Sequence, residues 1–554
     1  MKPNMDIFDS MRASIKWIWS LAATALLAGA CSDVLNIDPT QSYRAEIAFK
    51  DETTLDHYIY GFYMYLKNNV EQFNSNATTY TDCYSDIMKS GSWDQSNHGY
   101  NRAILSESSF SSQNAGSFEC WADAYTMIRR INEFLHDLPA NRSRFDANYI
   151  NVREAEARFV RAFAYYKLLR VYSRCVLRTE LDGPEQNDKP LSTPEACWKF
   201  VNDELSWCAE NLPETPVTTG RLYKAAAYGM LSRCALYAEQ WQMAIDAADA
   251  CKEHGADLMP NYADVFALSH CVENLISIDF TKDGVVSHRA DLFFRPSGDS
   301  PYHKNLKLFS HMGPTSELVD EYEMADGTPF DWTTHGSDPY TGREPRFYAS
   351  ILYNGATWEG RTIETFRGGT DARQDYRNTG AAESTVTGYY LRKFITENET
   401  AWETMGSSHF GTHLRYAEVL LNKAEAYARL NKYTESMDAL NEVRRRVGLP
   451  DRSASDEETA MGYIRHERMV ELAGEGFRFW DLRRWKLGVE VLNDKAMHGV
   501  DIVRNDDGTF TYTQVEIDGG SKRIFHERYY AFAIPESERT NNNAIDLSDN
   551  NPGW

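Results

Sequence analysis

The stretch LRYAEVLLNKAEAYARLNKYTESMDALNEVRRRVGLP, Leu414 to Pro450, decides the fold class of this chain. Ala417, Leu421, Ala424 and Ala428 recur at spacings of three and four, one stripe of small and apolar side chains on a helix from Leu414 to Leu430. Asn431-Lys432 turns the chain. Tyr433, Met437, Leu440, Val443 and Val447 line a returning helix, which Gly448 caps and Pro450 stops. Leu414 to Val447 is 34 residues, the period of a tetratricopeptide repeat, with small residues where the two helices touch. Such units bury their apolar faces only by stacking on others.

A second helix pair precedes it, Leu222–Ala238 and Trp241–Lys252. Ala225, Ala226, Gly229 and Ser232 let its helices approach closely. Helical periodicity also marks Glu46–Lys67, Cys120–Leu135, 148–172, Pro194–Leu212 and Asp456–Ala473. In 148–172 the stripe is Ala155, Phe159, Ala162, Tyr166 and Leu169, with Arg153, Glu154, Arg158 and Lys167 on the other faces. Strand signals are few. Leu275–Phe280 and Tyr389–Phe394 are short β-like runs, and Val500–Arg504 with Thr509–Ile517 flanks an Asn-Asp-Asp-Gly turn. Residues 255–410 are loop-rich and separate an N-terminal helical region, 31–254, from a C-terminal one, 411–554. The expected class is mostly α.

Residues 1–30 have the layout of a secretory signal: basic Arg12 and Lys16, an apolar run from Ile18 to Ala30, then small residues before Cys31. A Cys at the cut marks a bacterial lipoprotein, so Cys31 is the expected lipidation site. Leu27 stands at −4 and Ala28 at −3. The apolar run is too short for a stable membrane span, and lipid would be the anchor.

The net charge of −23 disfavours nucleic acid and anionic headgroups as partners. All nine Cys fall between Cys31 and Cys271 and none forms a CxxC pair, so no thiolate metal site is expected. Buried free thiols are the expected state. There is no GxGxxG, P-loop or EF-hand loop; His466-Glu467 lacks the second His of a zinc helix, and Gly406–Gly411 misses a nucleophile elbow by one residue. No cofactor is expected. Glu475–Trp485 is dense in Arg, Asp and Trp, and reads as a network locking a helix corner, since buried charges need partners.

These residues also carry a resemblance. Arg465-His466-Glu467-Arg468, Glu471–Trp485, Ala533–Glu538 and Asn550–Trp554, supported by Glu154–Tyr166 and Leu414–Leu421, resemble the SusD/RagB family of outer-membrane nutrient-binding lipoproteins. The resemblance implies tetratricopeptide-like helix pairs supporting a loop-rich ligand face with a few short β-hairpins. It implies a non-enzymatic, lipid-anchored protein facing the cell exterior. Such a protein captures glycan and delivers it to a SusC-like TonB-dependent transporter. Ser32-Asp33 begins part of the acidic tract associated there with surface export.

Sugar recognition needs flat aromatic faces beside hydrogen-bonding side chains. Trp93, in the irregular Ser90–Asn101 stretch with Asn97 and Tyr100, is the leading candidate. Tyr302 and Trp332 follow from the variable middle region, where a core role competes for each. Trp358 is a weaker candidate, and Trp121, Trp198, Trp207 and Trp241 belong to helices and to the core. The alternatives are a RagB-like peptide binder, a surface glycoside hydrolase with a hidden carboxylate pair, or a lid with no ligand site.

Overall fold

The computed structural model describes residues 45–72, 81–89, 110–113, 115–183, 188–310, 312–373 and 384–554. The signal segment, Cys31, Trp93, Asn97 and Tyr100 lie outside these residues. The chain divides into two compact units, Met1–Lys50 and Asp51–Trp554. In the first, the described structure is one helical turn, Ala45–Ala48. The helix expected over Glu46–Lys67 starts instead at Glu52, because Asp51 is extended and caps it, accepting the Thr54 N–H at 2.8 Å.

The second unit is built on helices α1 (Glu52–Asn68), α2 (Trp121–Asn141), α3 (Ala147–Tyr172), α4 (Pro194–Asn211), α5 (Lys224–Tyr237), α6 (Trp241–Glu253), α7 (Tyr416–Arg429), α8 (Tyr433–Arg446), α9 (Glu457–Glu471) and α10 (Arg478–Arg484). From α3 to α8 each packs on the next, so α5 and α6 stack directly on the α7–α8 pair although about 160 residues separate them in sequence. The two pairs are local copies. Each turn holds one left-handed residue, Glu239 or Asn431, and in each pair one serine bonds the facing helix: Ser232 Oγ of α5 donates to Ala244 O of α6 at 3.0 Å and Ser436 Oγ of α8 to Ala424 O of α7 at 2.7 Å. Gly448, at φ +77°, closes α8. A Cβ at Gly229 would meet Leu414 and Leu275, so this glycine also admits a β-ribbon against α5.

That ribbon corrects the start of the deciding helix. Gly411–Arg415 is strand β8 and pairs antiparallel with β2 (Asn274–Ile278), and α7 begins only at Tyr416. The other ribbons are β1 (Met88–Lys89) with β3 (Gly313–Pro314), β4 (Ile351–Leu352) with β7 (Tyr390–Leu391), β5 (Thr357–Trp358) with β6 (Arg361–Thr362), and the hairpin β9 (His498–Arg504) with β10 (Phe510–Glu516). Ribbons β1–β3, β2–β8 and β4–β7 join distant segments rather than forming local hairpins.

The charged residues on the other faces of α3 are largely withdrawn from water, because α1, α2 and α4 pack around the helix. Glu156 is fully buried and takes the guanidiniums of Arg153 and Arg221; Arg161 binds Glu204 and Asn132. The eight described cysteines are free thiols, seven of them buried. Around the β4–β7 ribbon lies an aromatic core of Phe347, Trp358, Tyr389 and Tyr390. There Gly388, at φ +86°, passes so close to β9 that a Cβ would sit 2.4 Å from the Val500 carbonyl oxygen. Gly388→Ala is expected to cost about 2 kcal/mol or more. Gly255→Ala, at a left-handed position with open space around it, should cost about 1 kcal/mol. Urea unfolding of the pair checks this, and equal losses would mean that backbone conformation alone, not the clash, sets the cost.

Candidate ligand-binding site

Tyr302 ends the tight 3-10 turn Ser297–Tyr302 and is 70% exposed, so the competing core role is corrected. Its mount is rigid. Asp299 accepts Trp358 Nε1 at 2.9 Å and Arg361 Nη2 at 2.6 Å, and the Gly298 N–H donates to Asp371 at 3.0 Å. His303 is buried, bonded to Glu403 at 2.9 Å and packed on Trp402 with centroids 4.9 Å apart. A turn held this way presents the Tyr302 ring to water from a fixed backbone position. Trp358, the weaker candidate, is fully buried and serves this mount.

Trp332 opens the helical turn Trp332–His335, capped by Asp331. It is half-buried, packed edge-on to Phe330, and its Nε1 donates to Asp320 at 2.8 Å. Asp320 also accepts Gln514 Nε2 of β10 at 3.0 Å, and burial pushes its carboxyl up to about 6. Trp332 is therefore partly a core residue and partly a surface one. Tyr302 and Trp332 share none of these partners. The segment carrying Trp93 leaves the described fold at Lys89, beside Gly313 in the β1–β3 ribbon, where Lys89 Nζ binds buried Asp518 at 3.2 Å. The chain re-enters at Phe110, packed on Phe532 and Tyr529. Of the helix tryptophans, Trp121 and Trp198 are buried, whereas Trp207 and Trp241 are half-buried; the Arg158 guanidinium covers Trp207 at 4.2 Å.

Asp299, His303 and Glu359 lie close enough to share a cation. Two guanidiniums already fill that role: Arg295 Nη1 is 2.8 Å from Glu359 and 3.4 Å from Asp299, and Arg361 reaches Asp299. Their positive charge opposes a metal ion, and the cluster reads as an ion-pair mount. Burial pushes Asp82 up to about 7, but its oxygens accept the N–H groups of Gly476 and Arg478 at 2.9 and 3.2 Å, which ties it to a chain turn rather than to open space. The Glu475–Trp485 run is the expected lock. Asp481 takes Arg468 and Arg484, Glu425 takes Arg484 and Trp485 Nε1, and Arg483 donates to the carbonyls of Arg170, Val171, Tyr529 and Tyr530.

A family model matches residues 274–554, and a second model, described as starch-binding and associating with the outer membrane, matches residues 33–236. The chain belongs to the SusD family. A SusD-like protein of Bacteroides ovatus is 22% identical, covering 90% of this chain and 89% of its own length. A solved SusD-like protein of Bacteroides fragilis is 25% identical, with a TM-score of 0.78 over 92% of this chain and 99% of its own. A SusD-like carbohydrate-binding protein of the same species has 22% identity and a TM-score of 0.74, covering 90% and 99%. Both SusD-like structures share the mostly helical fold. No helix among the described residues is long and apolar enough to cross a membrane.

One feature of this SusD family member was not anticipated from sequence. Two adjoining hollows share Tyr348, Arg392 and Glu397. A signal existed: Tyr348 and Tyr353 bracket the short apolar pair Ile351-Leu352, the first from the helix Pro345–Ser350 and the second just after the strand.

Proposed function

We propose that this SusD family protein is a non-catalytic oligosaccharide binder, anchored through lipid on Cys31 at the exterior face of the outer membrane, which passes its ligand to a SusC-like TonB-dependent transporter. The observation that carries the reading is Tyr302, a 70% exposed aromatic ring on a mount fixed by buried ion pairs. An exposed ring on a rigid base is what C–H stacking on a sugar needs. The carbohydrate-binding relative of Bacteroides fragilis, which has the same fold, supports it. Trp332, with Trp93, Asn97 and Tyr100, would supply the rest of the face. The carboxylates at the Tyr302 mount are occupied by guanidiniums, which leaves them poor general acids and favours binding over hydrolysis.

Calorimetry against a panel of neutral glycans and of peptides tests the reading. Tyr302→Ala is expected to weaken the glycan that binds about 10-fold, in line with one lost aromatic contact, with unfolding unchanged. Binding to peptides and to no glycan would overturn it in favour of the peptide reading, and new reducing ends on incubation would favour the hydrolase.

A further inference from the structure

The two hollows, about 800 and 420 Å³, are of the size of small-molecule sites. Both are lined by Tyr348, Arg392 and Glu397, so they form one groove. Phe266 lies in the wall of the larger hollow, and Tyr353 and Asn398 in that of the smaller.

The groove is built on fixed backbone. Tyr348 and Tyr353 flank β4, and Arg392 follows β7, the strand paired with it. Tyr348 Oη donates to Tyr340 O at 2.7 Å and accepts the Arg343 N–H at 3.1 Å, which locks its ring. Tyr353 stacks on Phe347, centroids 4.9 Å apart. Where the hollows meet, Arg392 and Glu397 pair at 2.7 Å with side chains 30% and 35% exposed. The pair bonds through Glu397 Oε1, and Oε2 has no partner among the described residues.

Charge selects the ligand. Arg392 and Glu397 cancel. The cations at the floor point inward: Lys393 binds Glu475 and two carbonyls, and Arg446 binds Glu273 and Glu471. Glu359, on the wall of the smaller hollow, is held by Arg295. Among the described residues lining the hollows no unpaired cation is left to meet an anionic sugar, while aromatic rings beside a planar ion pair and an amide suit the C–H faces and hydroxyl pairs of a neutral one. Glu359 also contacts His303, the residue after Tyr302, at 3.4 Å, so the wall of the smaller hollow is tied to the segment that carries Tyr302.

We propose that this groove is a second sugar-binding stretch, holding the far units of a neutral oligosaccharide whose other end stacks on Tyr302. This rests on the glycan reading above and adds to it a ligand length and a charge class. The test is calorimetry of the full mature protein with a neutral oligosaccharide panel, each sugar offered as disaccharide and hexasaccharide, and with oligouronates as the charged control. A neutral hexasaccharide should bind more tightly than its disaccharide. Glu397→Ala and Asn398→Ala should each weaken the hexasaccharide several-fold and leave the disaccharide unchanged, whereas Tyr302→Ala should weaken both. Glu397→Gln, which preserves shape, guards against a folding defect. Equal hexasaccharide affinity in wild type and in the Glu397→Ala/Asn398→Ala double variant, with loss in Tyr302→Ala, would overturn the groove and leave the glycan reading standing. Binding of oligouronates as tight as of neutral sugars would overturn the charge class. No binding of any sugar by wild type would overturn both readings together.

Discussion

Glu471→Ala is expected to destabilise the protein by about 4 kcal/mol, the cost of leaving buried charges unpaired. Glu471 ends α9 and is completely buried. Its carboxylate takes Arg415 Nη1 at 2.6 Å, Arg346 Nη1 at 3.1 Å and the guanidinium of Arg446. Burial alone would raise this carboxyl; the guanidiniums of Arg446, Arg415 and Arg346 outweigh it and hold the group well below the carboxylate range. The three arginines are themselves buried, and they come from α8, β8 and the short helix Pro345–Ser350. Removing one carboxylate thus leaves three segments short of a counter-charge in a region where water cannot supply it. Urea unfolding measures the loss. The contrasting variant is Lys199→Ala, which breaks an ion pair whose side chains are 71% and 61% exposed and should change stability by under about 0.5 kcal/mol. A Glu471→Ala loss as small as that would show that the network is not stabilising.

Glu471 also explains what the sequence made legible. The family-like run Glu471–Trp485 is built from residues whose partners lie elsewhere in the chain: Glu471 with Arg346 and Arg415, Asp481 with Arg468, Arg484 with Glu425. That run identifies the fold because it is the fold's charged core, and it says little about ligand. The helix pairs were readable because local spacing alone sets them. Arg415 was not: it sits inside an apolar, helix-like run, yet it is extended because its side chain must reach Glu273, Glu471 and Glu475 from the end of β8. The burial of Arg153 and Glu154 on α3 was not legible either, since spacing cannot reveal which neighbouring helices cover a face. Tyr302 was legible as an aromatic among Ser, Pro and His, but its exposure depends on Asp299, Arg361 and Trp358, which sequence leaves far apart. The Tyr348–Glu397 groove joins segments on either side of the β4–β7 ribbon, a pairing that no local pattern announces.

Acidification from pH 7 to 4.5 is expected to pull stability in opposite directions through two groups of buried side chains. Burial depresses His288 and His413 to about 4 and His409 to about 3. Each has a place in the fold: His288 accepts the Ala290 N–H and donates to His409 O, His413 donates to Leu66 O, and His409 Nδ1 lies 3.1 Å from Thr396 Oγ1. Below pH 6.5 the unfolded chain takes up these protons and the folded one does not, so stability falls as pH falls. At pH 4.5 the three together account for about 8 kcal/mol of loss. Asp82 and Asp320 act the other way. Burial raises them to about 7 and about 6, so the fold binds protons that the unfolded chain does not, and stability rises as pH falls through those values. Their gain at pH 4.5 is about 5 kcal/mol. Single variants unfolded in urea at both pH values test the two contributions. His413→Asn should remove about a third of the histidine loss. Asp82→Asn should remove about 3 kcal/mol of the gain. A His413→Asn variant with the pH dependence of wild type would show that this imidazole is not held neutral in the fold.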